Sequence, residues 1–167
     1  MMIDWKNKVI KAVDEKPPSE NSLNQAPGSR SDFDLIDNPS DRLDPLSLKP
    51  ASVIVGIVDG DIPQLFLTKR SDQLEQHSGQ IAFPGGKVEE GESFTEAAIR
   101  EAEEEVGLTL PDYEICGYLD TYETGTGYRI LPVVVFIKSD FIPQIDVNEV
   151  AELSLIHISE PTRRRGI

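Results

Sequence analysis

Apolar and polar positions alternate with different periods along this chain, and the changes of period mark out its elements. ASVIVGIV (Ala51–Val58) is an almost continuous apolar run of strand length, closed by Asp59-Gly60-Asp61. QLFLTKR (Gln64–Arg70) predicts a second strand, with Leu65 and Leu67 alternating against polar neighbours. GQIAFPGG (Gly79–Gly86) predicts a short third strand ending in a glycine turn. A helical period then takes over. Ala98, Ile99, Ala102 and Val106 share one face of a helix running from Ser93 to about Val106. Gly107 stops it, and Pro111 follows where no helix continues. EICGYLDTY (Glu114–Tyr122) and RILPVVVFI (Arg129–Ile137) predict two more strands. The intervening ETGTGY carries Gly125 and Gly127, which permit a tight hairpin. Strands on both sides of one helix place the chain in the α+β class or among mixed-sheet α/β sandwiches.

The flanks read differently. Residues 1–48 are expected to form a flexible leader, rich in Pro, Ser, Asn and Asp, with one weak amphipathic helix suggested by Ile3, Val9, Ile10 and Val13. Residues 49–152 form the expected folded domain. VNEVAE (Val147–Glu152) looks like the start of a further element, after which the composition breaks and Arg163, Arg164 and Arg165 appear together. Residues 153–167 resemble a translated sequencing adapter and are expected to be a non-native tail. On that reading the domain is truncated at its C-terminal end and less stable than a longer relative.

Composition narrows the function. The chain has 167 residues and a net charge of −14, which disfavours binding to nucleic acid through a basic surface. Its one cysteine, Cys116, excludes an internal disulfide and any zinc site needing several thiolates. No apolar run approaches the roughly 20 residues of a membrane helix, and the N-terminus lacks the apolar core of a secretory signal. The expected setting is cytoplasmic, without a membrane partner; oligomeric state is left open.

The helix carries the candidate chemistry. GKVEEGESFTEAAIREAEEEVGL (Gly86–Leu108) holds eight glutamates against Lys87 and Arg100. Glu101, Glu104 and Glu105 fall within an arc of roughly 100° on one face. Like charges so placed weaken a helix by about 0.2–0.5 kcal/mol per pair. A hard divalent cation relieves that repulsion, because carboxylate oxygens are its preferred ligands. A solvated acidic face is the alternative for EAEEE alone. The spacing of Gly86, Glu92, Arg100, Glu101, Ala102, Glu104, Glu105, Gly107 and Leu108 matches the defining box of the Nudix hydrolases, and the chain resembles that family through it.

The resemblance implies an α/β/α sandwich with a mixed sheet, and hydrolysis of a nucleoside diphosphate linked to another moiety. It implies that Glu101, Glu104 and Glu105 hold Mg²⁺ or Mn²⁺, with the Gly86 carbonyl as a further ligand. Arg100 and Glu92 are expected to pair and brace the loop against the helix. Glu104 or Glu105 is the candidate base, with Glu149 a weaker one. Upstream, LFLTKRSDQLEQHSGQIAFPGG (Leu65–Gly86) is similar to the extra motif of Nudix coenzyme A pyrophosphatases. Leu67, Thr68, Arg70, Ser71, Gly79, Phe83, Pro84, Gly85 and Gly86 match it, while Phe66 replaces a leucine and Glu75 reverses the charge of an expected arginine. The implied substrate is therefore a CoA-like small nucleotide, cleaved to 3′,5′-ADP and 4′-phosphopantetheine. Glu75 keeps ADP-ribose and nucleoside triphosphates as alternatives, and a non-catalytic nucleotide-binding module is a third. Arg70, Ser71, His77, Gly79 and Phe83 are the candidate substrate contacts. His77 is as well explained by a structural role, and Phe83 by fixing the turn into the box. Tyr122 and Tyr128 suit either base stacking or ordinary packing.

Overall fold

A computed structural model of the chain describes residues 5–19, 23, 30–35, 43–72 and 79–158. The strands are β1 (Arg30–Ser31), β2 (Lys49–Val58), β3 (Gln64–Arg70), β4 (Ile81–Ala82), β5 (Gly85–Lys87), β6 (Tyr113–Tyr118), β7 (Tyr122–Glu123), β8 (Tyr128–Ile137) and β9 (Val150–His157). The α-helices with full bounds are α1 (Trp5–Ala12) and α2 (Phe94–Val106). All the strands join one mixed sheet. β2 and β8 run parallel at its centre, in register from Lys49↔Tyr128 to Val58↔Ile137. β3 and β5 pair with opposite halves of β2, and β9 pairs with β3.

Burial on both faces explains why β2 and β8 read as apolar runs without clean alternation. One face carries Ile54, Leu131, Val133, Val135 and Ile137 against Ala98, Ala102 and Val106 of α2. The other face carries Val55, Ile57, Val134 and Phe136 against Trp5, Val9 and Val13. The result is an α/β fold in three layers, α1, sheet and α2. The small inner residues Ala97, Ala98 and Ala102 are fully buried and bring α2 close to the sheet.

Two strands predicted as single units are broken. Within 79–86, β4 pairs with β3 and β5 pairs with β2, with Phe83 and Pro84 between them. Pro84 lacks an N–H for a ladder, but its carbonyl accepts from Ile54 N–H at 2.8 Å. Within 114–122, β6 and β7 are separated, and the pairing of β6 with β8 shifts between Ile115 and Gly117.

The leader is not uniformly loose. The Trp5 ring stands edge-on to Phe136 at 5.3 Å between centroids. Asp14 and Tyr118 exchange two backbone hydrogen bonds of 2.9 Å each, and a Cβ added at Gly117 would run into Val13. Leu23 is buried in the α2-side core. Its carbonyl accepts a hydrogen bond from Arg129, whose guanidinium also pairs with Glu123 at 3.0 Å. Both charged side chains are almost completely buried, on the cross-strand register pair Glu123↔Arg129. These contacts link residues far apart in sequence, which is why local patterning left the leader unanchored.

At the other end, β9 runs across the boundary expected at Glu152 and pairs with β3 out to Gln64↔His157. Residues 159–167, including the arginine triplet, lie outside the described residues. Among the described residues no helix is long and apolar enough to cross a membrane.

Candidate metal centre

α2 is sharply bounded. Ser93 Oγ accepts from Glu96 N–H at 3.2 Å, and the Glu96 carboxylate accepts from Ser93 N–H at 2.8 Å. Gly107 closes the helix in the left-handed region at φ 70°, its N–H donating to the Glu103 carbonyl. The register of every glutamate on the helix is thereby set.

The inner acids meet β5. A Cβ added at Gly86 would overlap the Glu101 carboxylate, and one at Gly85 would overlap the β2 backbone at Ser52 and Val53. Gly85 therefore needs glycine for closeness to the strand backbone, while a side chain at Gly86 would push the Glu101 carboxylate out of its place. The Gly85 N–H donates to the Glu105 carboxylate.

The third acid arrives from the segment between β8 and β9. The last carbonyls of a helix have no partner inside it. Here Val106 C=O accepts from Gln144 N–H at 2.9 Å and Glu105 C=O from Asp146 N–H at 3.0 Å. Asp146 C=O in turn accepts from Glu149 N–H, and Glu149 C=O accepts from Ser71 N–H at 2.8 Å. This chain of bonds sets Glu149 beside the helix. Carboxylate oxygens of Glu101, Glu105 and Glu149 lie within 4.8 Å of one another.

Such a cluster is electrostatically unfavourable without a counterion. Glu105 is only 3% exposed. Burial first, then the charges of Glu101 and Glu149, push its carboxyl pKa up to about 8. Burial also raises Glu101, opposed by its hydrogen bond from Arg100. The donor set is all oxygen, with neither sulfur nor imidazole, and so fits a hard divalent cation of the Mg²⁺ or Mn²⁺ type.

Two arginines frame the acids. Arg100 grips Glu92 with two hydrogen bonds, 2.8 Å from Nε and 3.1 Å from Nη2. It also donates to the Lys87 carbonyl at 3.0 Å, to Glu101 at 3.0 Å and to Glu104 at 3.3 Å. It therefore ties β5, the following loop and the helix together, and its carboxylate partners raise its already high pKa. Arg70, at the end of β3, has a positive charge that favours ionised Glu105. Its Nε is buried and has no hydrogen-bond partner among the described residues. A buried donor without a partner beside carboxylates calls for an acceptor oxygen.

The sequence candidates thus separate. Glu101, Glu105, Gly86 and Arg70 are brought to one place, with Arg100 and Glu92 bracing them. Glu104 stands apart, with its side chain 55% exposed and held by Arg100. Ser71 is buried and contributes its N–H to Glu149. Gly79 makes the turn after β3 at φ 71°. His77 and Glu75 lie outside the described residues. Glu149, considered from sequence only as a base, enters the acid cluster itself. Its isolation from any periodic element hid that placement.

Phe83 packs on the opposite sheet face and lines an open cleft of about 580 Å³ with Val53, Leu119, Tyr122, Pro132 and Arg30. Val53 is the register partner of Gly85. The cleft and the acid cluster therefore lie on two sides of one backbone wall.

The NUDIX domain family model matches residues 48–164. An uncharacterized Nudix hydrolase NudL of Shigella flexneri is 40% identical over 122 residues, covering 72% of this chain and 63% of that protein. The corresponding NudL of Enterobacter sp. (strain 638) is 37% identical over 134 residues, covering 80% and 69%. The chain thus spans a little under two thirds of the first of these relatives. Among solved structures, a Caenorhabditis elegans Ap4A hydrolase binary complex aligns with a TM-score of 0.56 at 20% identity, covering 64% of this chain and 78% of that one. The Mycobacterium smegmatis Nudix hydrolase RenU aligns with a TM-score of 0.55 at 20% identity, covering 65% and 70%. At these identities the structural likeness speaks for the fold.

Proposed function

Since the chain belongs to the NUDIX domain family, we propose that it is a metal-dependent hydrolase that cleaves the pyrophosphate of coenzyme A or its thioesters. The products would be 3′,5′-ADP and 4′-phosphopantetheine or its acyl form. The observation that carries the hydrolytic part is the convergence of Glu101, Glu105 and Glu149 within 4.8 Å. These three would hold Mg²⁺ or Mn²⁺, and the Gly86 backbone lies against the same site. A divalent cation bound there would offset the charge of a pyrophosphate and lower the pKa of a bound water.

The chain's own groups have separable roles in this reading. Arg100 positions Glu101 and, through Glu92 and Lys87, holds β5 against the helix. Arg70 presents an unused Nε donor to a phosphoryl oxygen. Glu104, exposed and hydrogen-bonded to Arg100, would be the carboxylate that accepts a proton from water. The cleft beyond the Val53–Gly85 wall takes the nucleoside end of the substrate, with Phe83 and Tyr122 offering apolar and stacking surface.

The choice of coenzyme A rests on the run Leu65–Gly86. Glu75 inside that run supports a second reading, a pyrophosphatase for ADP-ribose or a nucleoside triphosphate. The test is a Mg²⁺-dependent assay on equal amounts of CoA, ADP-ribose and a nucleoside triphosphate, with products identified by mass. Release of 3′,5′-ADP from CoA is expected. Preferential cleavage of either other substrate would keep the hydrolase and discard the CoA assignment.

A further inference from the structure

The leader contributes a cation to the cleft. β1 lies beside β7 in parallel, with Arg30 opposite Tyr122 in register, and Arg30 lines the cleft together with Phe83. The segment behind it is clamped. Asp32 accepts from Tyr122 OH at 2.5 Å through one carboxylate oxygen and from Gly125 N–H at 2.6 Å through the other. Ser31 is buried, its N–H bonded to Asp34 and its hydroxyl accepting from Phe33 N–H. Arg30 is thus an exposed guanidinium on a fixed piece of backbone. It faces a cleft whose other lining is mainly apolar or aromatic, with Asp120 as a second charged residue.

A guanidinium on such a rim recognises an oxyanion, and a phosphate above all, by paired hydrogen bonds. We propose that Arg30 binds a phosphate carried on the nucleoside end of the substrate, and that the leader thereby sets specificity at the cleft. This inference rests on the cleft being the nucleoside subsite, as read above. It assigns to the leader a discrimination that the acid cluster, on the far side of the Val53–Gly85 wall, does not make.

Direct binding keeps the test separate from turnover. Adenosine 3′,5′-bisphosphate and 5′-AMP are titrated calorimetrically into the full chain, its Arg30→Ala variant and its Arg30→Lys variant. The account expects the bisphosphate to bind wild type more tightly than AMP. Arg30→Ala should weaken the bisphosphate about tenfold and leave AMP within about twofold. Arg30→Lys should lie between, since it keeps the charge and loses the fork. Equal weakening of both ligands, no weakening of either, or no wild-type preference for the bisphosphate would each overturn the proposal. Failure of the substrate assay on CoA would instead fall on the hydrolase reading, because these titrations need no cleavage.

Discussion

The helix α2 with its preceding loop and the N-terminal leader are opposite kinds of structure. The first is built from neighbours in sequence. Ser93 and Glu96 cap the helix, Glu92 meets Arg100 two turns on, and Glu101 and Glu105 share a face. The second is built from distant partners. Trp5 finds Phe136, Leu23 finds Arg129, and Asp32 finds Tyr122 and Gly125. Local spacing specifies chemistry in one region. In the other, a chain with little pattern of its own is ordered by what it covers.

If this contrast is right, the two regions should break in different ways. Glu105→Gln should reduce the Mg²⁺-dependent hydrolysis rate by about a thousandfold, because a ligand that neutralises transition-state charge is lost. The metal-free protein should melt no lower than wild type, since a buried carboxyl raised to about 8 is removed. A lower metal-free Tm with retained activity would give Glu105 a structural role instead.

Arg129→Met should act conversely. It removes the charge that pairs with Glu123 in a site where both side chains are at most 3% exposed. A loss of about 3–5 kcal/mol in unfolding free energy is expected from denaturant titration. The Mg²⁺ affinity of the remaining folded protein should stay within about twofold.

Trp5→Ala should destabilise by about 2 kcal/mol, less than a fully buried tryptophan, and should leave kcat unchanged. An unchanged denaturation midpoint would mean that α1 does not stay docked in solution.

The pH dependence isolates the acid cluster from the leader. Glu105 titrates near 4.5 when unfolded and near about 8 when folded, so the folded state holds the extra proton between these values. Metal-free stability from this group is complete below 4.5 and is lost as pH rises through about 8. Mg²⁺ binding should release protons at neutral pH, giving a calorimetric heat that changes with buffer ionisation enthalpy. A buffer-independent heat would show that Glu105 is already ionised. Asp32→Asn should have the smallest effect, about 1 kcal/mol or less, since its partners remain near water.

The same contrast governs what could be read in advance. The helix and its stop at Gly107 were legible because they depend on spacings within one short segment, while the pairing of Glu92 with Arg100 was implied by the family resemblance which that segment carries. Glu104 was grouped with Glu101 and Glu105 because all three share an arc of the helix. That arc turns partly to solvent, and the loop reaches only its inner edge. Glu149 is set by backbone bonds to Ser71 and the helix end, which no periodicity encodes. Glu123 and Arg129 carried a visible signal, opposite charges flanking a glycine hairpin, and their cross-strand pairing follows from it. The cleft itself was not legible in the same way, because it joins Arg30 to residues from four distant stretches.

In the proposed hydrolase Glu149, not Glu104, would complete the cation site with Glu101 and Glu105. Mn²⁺ titration followed by electron paramagnetic resonance on wild type, Glu149→Gln and Glu104→Gln tests it most directly. The account predicts that Glu149→Gln weakens the site at least about tenfold while Glu104→Gln changes it by less than about threefold. The opposite order would contradict it and return the third ligand to the helix.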